Sequence, residues 1–120
     1  MKKILVVDDE STSLVIIHNM LHELGFCAIK SQAADHALQT LKCNDDIALV
    51  ITDMQMPKKD GRWLIKQIFA DSSLKKTPII IMSGAVGVKD IADLLQAGAK
   101  AFIAKPVEKS ELKEYIERYI

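Results

Sequence analysis

Five short apolar runs alternate with five segments of helical periodicity, and this alternation restricts the fold more than any other feature of the chain. The runs extend from Ile4 to Val7, Cys27 to Lys30, Ala48 to Thr52, Ile79 to Met82 and Ala101 to Ala104. They are too brief for helices and nearly continuous in apolar character, so they read as strands buried on both faces. Between them, apolar residues recur at spacings near 3.6. Leu14, Ile17, Leu21 and Leu24 form a first stripe, with Gly25 as its C′ stop. Ala34, Ala37, Leu38 and Leu41 form a second, and Leu64, Ile65, Ile68 and Phe69 a third after the Asp60-Gly61 break. Ile91, Leu94 and Leu95 mark a fourth helix ending near Gly98, and Leu112, Tyr115, Ile116 and Tyr119 a fifth. Each helix is long enough to carry a crossover, so the strands are expected to be parallel. Right-handed crossovers then give an α/β three-layer sandwich with helices on both sides of the sheet. In such sheets ligands bind outside the carboxyl ends of the strands.

The chain has 120 residues, which suits one domain spanning 1–120. Nearly half of it is apolar, enough to build a core. Lysine plus arginine number 16 and aspartate plus glutamate 16, for a formal net charge of zero. That balance argues against nucleic acid or an anionic membrane as a partner, since both attract basic surfaces. The opening apolar run stops at Asp8-Asp9-Glu10, too early for a signal peptide, and no other stretch is long enough to span a bilayer. The expected location is cytoplasmic. Cys27 and Cys43 lack metal or redox spacing and read as buried free thiols.

Four of the five strand ends carry a group suited to handling phosphate. The first runs into Asp8-Asp9, the third into Asp53, the fourth into Ser83-Gly84 and the fifth into Lys105-Pro106; the second, at Ser31-Gln32, offers nothing distinctive. Taken singly, an aspartate before a helix is usually a cap, a loop serine a turn residue and a lysine a solvated charge. Convergence on one rim changes that reading. At roughly 5 Å and an effective dielectric near 20, each carboxylate pair repels by about 3 kcal/mol. A hard divalent cation relieves this, and Mg²⁺ suits a site with few carboxylates, several waters and a phosphate oxygen. Asp53 then reads as a nucleophile forming an aspartyl phosphate. Lys105 neutralises the transferring group, Ser83 donates its hydroxyl to the product, and Gly84 permits close approach. Lys105-Pro106 is a candidate cis peptide.

These residues resemble those of the receiver domains of two-component response regulators, and the resemblance covers the whole chain. It rests on Val6-Val7-Asp8-Asp9-Glu10, on Asp53-Met54-Gln55-Met56-Pro57 continuing to Asp60-Gly61, on Ser83-Gly84 and on Lys105-Pro106. It implies a flavodoxin-like (βα)5 fold with strand order 2-1-3-4-5. It also implies Mg²⁺ held by Asp9, Asp53 and the backbone carbonyl of Gln55, with Asp8 acting through water. The implied phosphodonor is a phosphohistidine on a sensor histidine kinase or a histidine phosphotransfer protein. Ser83 and Phe102 are implied as a switch pair that reshapes a target-binding surface on the fourth helix, fifth strand and fifth helix. Such a domain is a switch rather than an enzyme, catalysing only its own phosphotransfer and slow dephosphorylation. Ser83 stands where threonine is commoner, and Phe102 where tyrosine is also frequent.

Other functions fit the sequence less well. A dehalogenase-type phosphatase needs a second acid at the position of Gln55. A flavin or nucleotide binder needs a Gly- or Ser/Thr-rich loop where Asp8-Asp9-Glu10 stands. An interaction module that never takes up phosphate is also compatible with the sequence. His18 and His22, four apart on the first helix, read as surface or partner-facing rather than as metal ligands. Trp63 reads either as a packing or as a partner-facing residue.

Overall fold

The elements follow the expected alternation. In the computed structural model, which describes residues 2–84 and 88–120, strands β1 (Lys3–Val7), β2 (Cys27–Ser31), β3 (Ile47–Asp53), β4 (Ile79–Ser83) and β5 (Ala101–Ala104) alternate with helices. These are α1 (Ser11–Glu23), α2 (Ala34–Cys43), α3 (Gly61–Ala70), α4 (Val88–Ala97) and α5 (Lys109–Tyr119). The strands pair in parallel in the order β2-β1-β3-β4-β5, as the resemblance implies.

Two apolar layers, one on each sheet face, hold the sandwich together. Leu5, Val7, Val50, Ile79 and Ile81 pack with Leu38, Leu41, Leu64, Ile65, Ile68 and Leu94 of α2, α3 and α4. Ile4, Val6, Leu49, Ile51, Ile80 and Met82 pack with Leu14, Ile17, Leu21, Leu112 and Ile116 of α1 and α5. The period of two along each strand sorts its residues between these layers. Asp8 continues the parity of Ile4 and Val6, Asp53 that of Leu49 and Ile51, and Lys105 that of Ala101 and Ile103. All three therefore leave the sheet toward the α1–α5 side. Ser83 continues the parity of Ile79 and Ile81, and Phe102 packs against the opposite layer.

Gly25 ends α1 with φ of 90°, the left-handed conformation that a C′ glycine supplies. Two of the apolar stripes are narrower than expected. Phe69 is 40% exposed and Leu95 42% exposed, because each follows a buried residue (Ile68, Leu94) by one position and so turns about 100° away from the core. Both cysteines are free thiols as expected, but they are not buried: Cys27 is half-buried and Cys43, the last residue of α2, is exposed. Trp63 packs partly against the α2–α3–α4 layer, with the Lys59 ammonium 4.6 Å from its ring centroid. No helix among the described residues is long and apolar enough to cross a membrane.

Candidate functional site

At the carboxyl rim, β1, β3 and β5 deliver one charged residue each to the same place. Asp53 is the last residue of β3 and lies in register with Met82 of β4. Its main chain is fixed from both sides: the Thr52 hydroxyl donates to the Asp53 carbonyl at 2.9 Å, and the Met54 amide donates to Met82 at 3.2 Å. Behind it, α3 begins at Gly61, whose amide donates to the Met54 carbonyl at 2.9 Å. A Cβ at Gly61 would stand 2.6 Å from the Asp53 carbonyl oxygen, so only glycine allows this approach. Asp60 caps α3, its Oδ1 accepting the Trp63 amide at 3.0 Å.

Asp8 is fully buried and Asp53 7% exposed, whereas Asp9 is exposed. Asp8 does not cap α1. The N-cap is Glu10, which makes no side-chain cap bond, and Asp8 Oδ1 instead accepts the Glu10 amide at 3.0 Å. Its other oxygen, Oδ2, accepts the Lys105 ammonium at 2.8 Å, and the same ammonium reaches Asp53 Oδ2 at 3.3 Å. Lys105 is placed by its amide, which donates to the Ser83 carbonyl at 3.0 Å, and the Lys105-Pro106 peptide is cis. Ser83 is buried at the end of β4, one step across the sheet from Ala104. Asp9, Glu10, Asp53, Gln55, Ser83 and Lys105 line a cleft of about 310 Å³.

Burial pushes the Asp53 carboxyl above the ordinary range; Lys105 opposes this and the Asp8 charge reinforces it. Burial pulls the Lys105 ammonium down, but its hydrogen bond to Asp8 and the charges of Asp53 and Asp8 together hold it above its usual value. Lys105 therefore stays charged and offsets only part of the negative charge around it. Asp8, Asp9 and Asp53 each offer an oxygen, and these atoms lie within 4.8 Å of one another. They are the one group of three or more potential metal ligands among the described residues. An all-oxygen carboxylate set of this kind suits a hard cation. His18 and His22 join no such group.

The chain matches the response regulator receiver domain family over residues 4–117. It belongs to that family. This receiver is 37% identical over 116 residues to the chemotaxis protein CheY1 of Helicobacter pylori, covering 96% of this chain and 94% of the relative. A response regulator receiver domain protein from Clostridium thermocellum superposes with a TM-score of 0.93 at 30% identity, covering all of this chain and 94% of that one. The receiver domain of the sensor histidine kinase PA1611 of Pseudomonas aeruginosa, solved with a magnesium ion coordinated in its active-site cleft, superposes with a TM-score of 0.90 at 25% identity. That match covers 98% of this chain and 96% of the kinase domain. The chain is accordingly a phosphorylation-activated switch of two-component signalling.

The structure brings Asp8, Asp9, Asp53, Ser83 and Lys105 together at one rim, as their strand-end positions predict. Gln55 joins them, exposed, with its backbone amide hydrogen-bonded to Asp53. Phe102 stays apart from the cleft, half-buried on β5. Sequence reasoning missed Glu10 as a lining residue and Gly61 as the contact beneath Asp53. The run of three acids at Asp8-Asp9-Glu10 signalled the first. The second depends on a loop closure that no spacing reveals.

Proposed function

We propose that Asp53 is the phosphoacceptor and that Asp8, Asp9, Asp53 and the backbone carbonyl of Gln55 make up a Mg²⁺ site. The observation that carries this reading is the convergence of three carboxylates and one ammonium on a single cleft. The phosphodonor is a phosphohistidine on a sensor histidine kinase or a histidine phosphotransfer protein. As the phosphorus–nitrogen bond breaks, an Asp53 oxygen forms the new phosphorus–oxygen bond, and the imidazole leaves and takes up a proton. Asp53 must be ionised to attack, and Lys105, already poised between Asp8 and Asp53, moves its charge onto the incoming phosphoryl oxygens. Bound Mg²⁺ would neutralise the equatorial oxygens of the transferring group. Asp53 is only 7% exposed, and the same burial keeps competing water from most of the carboxylate.

The product carries close to two negative charges. Ser83 and Lys105 are the groups that answer them. Ser83 shares its sheet face with Phe102, so a shift of the serine toward phosphate frees space on the side where that ring packs. This supports Ser83 and Phe102 as the switch pair, with α4, β5 and α5 as the surface offered to a downstream protein. By likeness to CheY1, a chemotaxis target is the first class of partner to try.

Incubation with acetyl phosphate and Mg²⁺, followed by intact mass measurement, tests the acceptor. One phosphoryl group is expected on the wild type, none on Asp53→Asn, and reduced but measurable labelling on Lys105→Ala. Equal labelling of the wild type and Asp53→Asn would overturn the assignment.

A further inference from the structure

A cleft of about 500 Å³ opens at the edge strand β2, between the first turns of α1 and α2. Its walls are Ser11, Leu14 and Val15 of α1, Lys30 and Gln32 around the end of β2, and His36 of α2. This volume falls in the roughly 300–1,000 Å³ range of small-molecule sites, which pair an apolar lining with a few polar groups. Leu14 supplies a buried floor, and Val15, 48% exposed, an uncovered apolar wall.

Lys30 is the one lysine or arginine among the polar groups. No acidic side chain lines the cleft. Among the described residues, the Lys30 ammonium makes no ion pair, and the side chains of Ser11 and Gln32 have no hydrogen-bond partner. His36 is held by its other side: Ser31 Oγ, 2% exposed, lies 2.7 Å from His36 Nδ1 and 3.0 Å from the Ala33 carbonyl. A hydroxyl has one proton, and a carbonyl can only accept. When Ser31 donates to Ala33, His36 Nδ1 must therefore carry a hydrogen and donate to Ser31. That leaves Nε2 as a lone-pair acceptor with no partner among the described residues, so the ring bounds the cleft without donating to an anion. In a chain of zero net charge, this cleft carries one lysine and no carboxylate above an apolar floor.

We propose that this cleft binds a small organic anion with an apolar body, its charged head at Lys30 with the Ser11 hydroxyl and the Gln32 amide as further donors, and its body on Leu14 and Val15. The cleft is separate from the acidic site, with which it has no lining residue in common. One backbone hydrogen bond links the two, the Ser31 carbonyl accepting the Asp8 amide at 3.0 Å.

Octanoate, octyl phosphate and octylammonium, titrated separately into ¹⁵N-labelled protein, test this with amide shifts as the readout. Saturable shifts centred on Ser11, Val15, Ser31 and His36 are expected for at least one of the two anions, and the tighter one identifies the head group. Lys30→Gln should weaken that anion about tenfold, the effect of losing one charge-assisted contact, while Lys76→Gln leaves it unchanged. Equal binding of octylammonium, or full affinity in Lys30→Gln, would overturn the proposal. So would the absence of any saturable shift, which would leave Lys30 as no more than a charge guarding an edge strand against pairing.

Discussion

Asp53 is held in a state its surroundings disfavour. Burial raises its carboxyl above the ordinary range, the Lys105 charge works against that rise, and Asp8 adds to it. In the unfolded chain an aspartate titrates near ~3.9, so between that value and the raised native value the folded state binds more protons. Stability then falls as pH rises through this window, and at neutral pH the ionised carboxylate is a destabilising charge. An ionised, partly desolvated oxygen is what the phosphoryl acceptor proposed above requires. Asp53→Asn should therefore raise the Tm at pH 7 in the absence of divalent cations, and this advantage should shrink as the pH falls toward the unfolded-state value, below which the wild-type carboxyl is protonated in both states. Thermal unfolding followed by circular dichroism at neutral pH and below that value checks the sign. A gain that is the same at both would show that the amide acts through packing and not through charge.

At the scale of elements, the strands and helices were legible because the period of two and the period of 3.6 seldom overlap along this chain. Asp8, Asp53, Ser83 and Lys105 were legible because parallel strands bring their carboxyl ends to one rim. The errors occurred where a helix turns away from the core: Phe69 and Leu95 extend apolar runs but sit one step past the buried positions, and Cys43 ends α2 in solvent. Contacts made by loops were illegible, above all the α3 start beneath Asp53. There two adjacent residues do different work, and substitutions should separate them. Asp60→Ala removes the cap on the Trp63 amide and should cost about 1 kcal/mol of stability without changing metal affinity. Gly61→Ala places a methyl 2.6 Å from the Asp53 carbonyl oxygen. It should cost roughly 1–3 kcal/mol, as overpacking does, and also weaken Mg²⁺ binding by displacing β3's last residue. Urea unfolding combined with Mg²⁺ titration distinguishes the two, and an intact Mg²⁺ affinity in Gly61→Ala would remove the link between the helix start and the site.

Across the whole molecule, two apolar layers stabilise the sandwich while one rim concentrates charge that opposes it. Lys105 answers Asp8 and Asp53, but Asp9 stands in solvent with no ion-pair partner among the described residues, and Glu10 lines the same cleft. A cation that binds this rim only in the folded state must stabilise the entire fold, by about 2.7 kcal/mol at a hundred times its Kd. For a domain of this size that corresponds to a Tm increase of ~10 °C. Sodium chloride at matched ionic strength should give much less, since screening weakens the repulsion without filling the site. Asp9→Asn separates the two contributions. It removes a repelling charge, so the metal-free protein should be at least as stable as the wild type, yet it also removes a proposed ligand, so the Mg²⁺-dependent rise should largely disappear. Melting curves of both proteins over a MgCl₂ series read this directly. If Asp9→Asn kept the full rise, the cation would be bound by something other than the three aspartates, and the charge crowding at this rim would need another explanation.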